Sequence, residues 1–151
     1  MLHFLPFHSP LILHVRDAIV AGSTGRMAMI LLIYIGPLFR LPRIDAVGLL
    51  GSLAAGNKQS AVTLGGAIHF SVGVLFALVY AVFWSVGLGS PTWYWGLVFG
   101  TVHGFLVIGM LLVSVRLFPQ LSQHFNTAAV MAAILLNHIL YGVVVAVVYG
   151  S

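Results

Sequence analysis

Four stretches of this chain stay apolar long enough to cross a bilayer, and the polar residues gather between them. A spanning helix needs about 20 such residues. The candidates are residues 16–39, 59–86, 93–117 and 127–149. Short connections predict antiparallel neighbours. The first link is the most polar, with Arg40, Pro42, Arg43, Asp45, Asn57 and Lys58. Within it, residues 44–55 can form a short interfacial helix. The second link, around Gly87, Gly89, Ser90 and Pro91, reads as a tight, uncharged turn. Trp84, Trp93, Tyr94 and Trp95 flank it and suit interface anchors of an aromatic belt. The third link, Pro119 to Asn126, holds Gln120, Gln123 and His124. Residues 1–15 read as an interfacial segment rather than a signal peptide. They lack a basic leading region, and Pro6 and Pro10 interrupt the apolar stretch. His3, His8 and His14 then lie at headgroup level.

One pattern occurs twice. His69, Gly73, Ala77 and Tyr80 match His138, Gly142, Ala146 and Tyr149 in spacing. Residues four apart share a helix face, so each His, Gly and Ala lie in one stripe. Aligning the histidines also aligns Asn57 with Asn126, twelve positions earlier. Twelve residues of helix place each His roughly 18 Å along its span, near the bilayer centre. Spans one and three correspond more weakly, through AIVAGST (18–24) and GLVFGTV (96–102). The expected fold is all-α, one transmembrane domain over residues 1–151. It is a four-helix bundle of two repeated helical hairpins with a pseudo-two-fold axis along the membrane normal. The tyrosines lie eleven residues beyond each His and read as anchors near the helix ends.

Composition sharpens the membrane reading. The chain is 61% hydrophobic and 5% charged, where soluble domains carry roughly a quarter charged residues. Mean hydropathy is +1.13. The net charge of +4 sets six Lys and Arg against Asp17 and Asp45. These cations are too dispersed for nucleic acid and fit membrane orientation and headgroup contact instead. Arg40, Arg43, Lys58 and Arg116 fall on the side of links one and three, which predicts both termini outside. There is no cysteine, which excludes disulfides, thiolate metal sites, iron–sulfur clusters and covalent c-type haem.

Candidate chemistry lies inside the spans. His69, His103, His138 and Arg26 all fall near mid-depth. Polar groups there are expensive and mark functional positions by default. No Asp or Glu lies deeper in a span than Asp17 at the start of the first, so Arg26 has no obvious acidic partner on this chain. It can snorkel to the interface, cap backbone carbonyls, or meet an anion from a ligand or another subunit. His69 and His138 read as a paired site. They are either interhelical hydrogen-bond glue, part of a proton or ion path, or axial ligands of a tetrapyrrole, haem b or a chlorophyll, through its metal. His103 can replace either ligand or hold a separate pigment. Asn137 is a candidate for supporting the imidazole of His138. Gly65 with Gly73, and Gly96, Gly100 and Gly104, permit close helix approach or leave room over an imidazole. No dinucleotide-binding, P-loop, HExxH or nucleophile-elbow pattern is present. Two carboxylates near the ends make no acid–base pair, so no enzyme is expected.

The set AIVAGSTGRMAM (18–29), LPRIDAVGLLGSL (41–53), GGAIHFSVGVLFALVYAVFW (65–84), WGLVFGTVHG (95–104) and NHILYGVVVAVVYG (137–150) resembles an uncharacterised bacterial family of small four-span membrane proteins. The resemblance implies a multi-pass protein of the bacterial inner membrane and supplies no reaction. Arg26 is less typical of that pattern. The functional expectation is a non-enzymatic accessory subunit of a larger, energy-converting membrane complex. Its partners would be the bilayer, other transmembrane subunits and, in a homo-oligomer, further copies of itself. The alternative is a small transporter with a midplane His/Arg layer.

Overall fold

The computed structural model describes residues 13–54, 58–117 and 127–151. His3, His8, Asn57, Asn126, the third link with His124 and most of the N-terminal segment lie outside the described residues. The described chain is all helical: α1 (Val15–Ile35), a 3-10 turn (Gly36–Phe39), α2 (Ala46–Ala54), α3 (Lys58–Ser85), α4 (Trp93–Leu117) and α5 (Ala128–Tyr149). Four segments, Val15–Phe39, Ser60–Ser85, Trp93–Leu117 and Ala128–Tyr149, are long and apolar enough to cross a membrane. This is an integral membrane fold, with extensive exposed apolar faces suited to lipid contact.

Local chemistry sets the boundaries. Asp17 sits in the first turn of α1, where a carboxylate opposes the helix dipole, and lies 3.6 Å from His14. Pro37 at the start of the 3-10 turn and Arg40 in the left-handed region (φ 62°) end the first span. Asp45 accepts from the Gly48 amide at 2.7 Å and caps α2. Gly87 and Gly89, with φ of 83° and 85°, reverse the chain between α3 and α4. The Thr127 hydroxyl accepts from the Val130 amide and starts α5. Both acidic side chains of the protein thus serve at helix N-termini.

α1 lies between α3 and α5, and α4 packs along the far side of α5. α4 and α5 make the closest seam. Gly96 and Gly100 lie against the Gly142 and His138 carbonyls, so any added Cβ would strike backbone. α3 and α4 do not pack backbone to backbone in this way. At the end holding the start of α1 and the end of α5, aromatic rings bridge these two helices: Tyr80 and Trp84 from α3 pack on Phe99 from α4. Tyr141 and Tyr149 complete this core. At the opposite end α2 folds back along α3, and Ile44, Ala46 and Leu49 pack against Leu111, Ile134 and their neighbours. Between those two closures the gap stays open.

Candidate functional site

The gap is a cavity of about 300 Å³ bounded by every helix of the fold. Its walls are mostly apolar, with Ile33, Val72, Phe76, Leu106, Val107 and Met110 among them. Leu49 and Leu50 of α2 contribute to the wall at that end. The five polar side chains singled out from the sequence, Arg26, His69, His103, Asn137 and His138, all line it. Of the core that Tyr141 and Tyr149 complete, Met29 and, at its edge, Phe76 also line the cavity.

Arg26 is 3% exposed, so it does not snorkel. Its Nη1 donates to His69 Nε2 at 2.9 Å and approaches the Met29 sulfur at 3.4 Å. Its guanidinium carbon stands 5.3 Å from the centre of the Tyr141 ring, a cation–π contact. Nε is buried with no hydrogen-bond partner among the described residues. The side chain reaches this place because residue 73 is glycine. A Cβ there would overlap Arg26 Nε, Cγ and Cδ. Tyr141, fully buried, donates its hydroxyl to the Gly73 carbonyl and ties α5 to α3 at the same point. No carboxylate faces Arg26, since Asp17 and Asp45 are both at helix starts.

The hydrogen bonds fix the histidine tautomers. Guanidinium only donates, so His69 Nε2 accepts, and the neutral ring carries its proton on Nδ1. His138 Nδ1 lies 2.7 Å from the Ile134 carbonyl, which only accepts. Its Nδ1 therefore holds the proton, leaving Nε2 with a free lone pair. His103 Nδ1 meets the Tyr80 hydroxyl at 3.2 Å. One face of His103 is covered by Phe76, with ring centroids 3.7 Å apart and planes within 22°. Asn137 donates Nδ2 to the Ala133 carbonyl, so its Oδ1 is the free end, buried and without a partner among the described residues.

The pairing differs from the sequence expectation. His103, not His69, touches His138, edge to face with centroids 4.7 Å apart. His69 belongs to Arg26. The cause is helix order: α1 separates α3 from α5 along much of their length, while α4 lies directly on α5. The His103 and His138 rings meet edge to face rather than across a gap. Among the described residues no group of three or more His, Asp or Glu is placed to hold a metal ion. Asn137 bonds its own helix rather than an imidazole. The glycines Gly96, Gly100 and Gly104 serve helix packing.

The aromatic residues also divide. Trp93 and Tyr94 are exposed, at 62% and 57%. Trp84, read as a belt residue, is instead buried at 2% and stacks on Phe99 and Tyr149. Tyr80 likewise is not an anchor: it is buried, and its hydroxyl serves His103. One sequence signal foretold the inward course of Arg26. Ala18, Gly22, Gly25 and Met29 recur at helical spacing and are buried, and Arg26 lies on that same face.

No curated protein and no solved structure matches the chain significantly. One family profile does, over residues 13–151, and the chain belongs to that family of unknown function, DUF6789.

Proposed function

We propose that this protein is a non-enzymatic, membrane-embedded binding subunit that holds a small lipophilic molecule in the cavity between α3 and α4. One observation carries the reading. A partly open, largely apolar chamber within a membrane bundle is lined by a set of polar groups, two of them with buried atoms that have no partner among the described residues. A cavity of about 300 Å³ is at the low end of the range for small-molecule sites. Polar groups are retained at such depth when something compensates them. The apolar wall accommodates a tail, and Arg26 receives a head. Ser114, also in the lining, donates its hydroxyl to the Met110 carbonyl of its own helix.

A second reading has one specific support. His138 donates Nδ1–H to a backbone carbonyl and keeps Nε2 free, the arrangement of an imidazole prepared to ligate a metal. A tetrapyrrole held by His138 alone would follow. Purification in mild detergent, with mass spectrometry of the extracted lipids and an absorption spectrum, separates the two. The binding reading expects one lipophilic molecule per chain, enriched over bulk lipid and lost when Val107→Trp fills the chamber. A Soret band lost in His138→Ala would establish the tetrapyrrole instead. A colourless protein with no enriched molecule, unchanged by Val107→Trp, contradicts both.

A further inference from the structure

We infer that the head of the bound molecule is an anion, a carboxylate on a medium-length acyl chain, with Arg26 as its counter-charge. This rests on the binding reading above and specifies its chemistry. The argument is one of charge balance. Arg26 is 3% exposed and at mid-span, and guanidinium stays protonated in proteins. A buried charge without a partner is strongly unfavourable. Everything found around it is neutral: His69 as acceptor, the Met29 sulfur and the Tyr141 ring. His69 cannot supply negative charge, and its accepting nitrogen is already used. The protein has two acidic side chains in all, and each is committed to a helix start outside the cavity. The missing charge therefore comes from outside the chain.

A neutral acceptor such as a quinone would satisfy a donor but leave the charge uncompensated. A carboxylate satisfies both and matches the planar fork of the guanidinium. A phosphate monoester at neutral pH carries more charge than one arginine among neutral histidines can balance, and a phosphodiester or sulfate brings more oxygens than the planar carboxylate. Volume limits the tail. The cavity of about 300 Å³ holds roughly ten water volumes, which suits a chain of about ten carbons.

The test uses the full chain in phosphatidylcholine nanodiscs with carboxyl-13C decanoate. The expected result is a bound carboxyl resonance, one per chain, distinct from lipid-dissolved decanoate. It should stay at its ionised position at a pH where the lipid-dissolved acid is mostly protonated. Decanol and a decyl-substituted benzoquinone should compete at least about tenfold more weakly. Arg26→Met should abolish the resonance, Arg26→Lys should retain it with weakened affinity, and Val107→Trp should remove it with Arg26 intact. Arg26→Met is expected to fold, because it replaces a buried charge by an apolar chain of similar length; its melting transition checks this. Should that variant not fold, decanol competition on the unaltered protein still decides the matter. Equal competition by decanol or the quinone would overturn the anionic head while leaving the cavity as a binding site. Retained binding in folded Arg26→Met would overturn it too. No bound species with any of the three probes would overturn both the anion and the binding reading.

Discussion

Gly73 and Gly142 hold the same place in two occurrences of one sequence pattern, yet a side chain at each would strike different things. At Gly142 it would meet the backbone of Gly96 and Gly100, the spine of the neighbouring helix. At Gly73 it would meet the side chain of Arg26. One glycine closes a seam, and the other makes room for a charge. The rest of each stripe follows suit. Ala146 packs on Gly96 in the α4–α5 seam, and Tyr149 takes the amide of His14 at the end of the bundle. Ala77 packs on Gly22 of α1, while Tyr80 turns inward to His103. A motif of small residues and a histidine therefore specifies a face, not a task. The task depends on what the facing helix presents: glycines on α4, an arginine on α1.

The difference predicts a graded series of effects on stability, measured by thermal or denaturant unfolding in a bilayer mimic. Gly142→Leu should be the most damaging. Backbone cannot yield as a side chain can, so a cost of about 3 kcal/mol or more is expected, with loss of folded protein. A mild effect there would mean that the α4–α5 seam is looser than described. Gly73→Ala should cost less, about 1–2 kcal/mol, because Arg26 can swing aside. Most of that cost should vanish in an Arg26→Ala background, and a double-mutant cycle reads the coupling directly. Additive effects would show that Arg26 does not lie over Gly73.

Tyr141→Phe should cost about 1–2 kcal/mol, since it leaves the Gly73 carbonyl without its buried donor. Tyr149→Phe should cost only about half a kcal/mol, because its partner is a part-buried amide at a helix end. Faster hydrogen exchange at the start of α1 should be its main signature. If the two tyrosine substitutions were equal, the contrast between a central tie and an end contact would fail.

Much of the architecture was legible in the sequence for simple reasons. Long apolar runs, the paired glycines of the α3–α4 turn and Pro42 of the first link act locally, so their reading needs no knowledge of neighbours. The polar candidates were legible as a set, because burying His or Arg in hydrocarbon is costly wherever the helices sit. Their pairing was not. Whether His138 meets His69 or His103 depends on helix order around the bundle, which hydropathy does not encode. The course of Arg26 was missed, although Ala18, Gly22, Gly25 and Met29 mark its face of α1 as the buried one. Snorkelling is the cheapest fate of an isolated arginine, and the deciding space at Gly73 lies on another helix. Trp84 and Tyr80 show the same limit: an aromatic near a helix end suits an interface belt or a core equally well until its facing partner, here Phe99 or His103, is known.

The central claim is that Arg26 and His69 meet inside the bundle at a cavity rather than facing lipid. Solid-state NMR of the protein, with 15N-labelled arginine and histidine, in bilayers tests it most directly. A through-space contact between the Arg26 guanidinium and the His69 imidazole, with His69 neutral and protonated on Nδ1, is the predicted result. Separate Arg26 and His69 signals, each in contact with lipid acyl protons and not with one another, would contradict it.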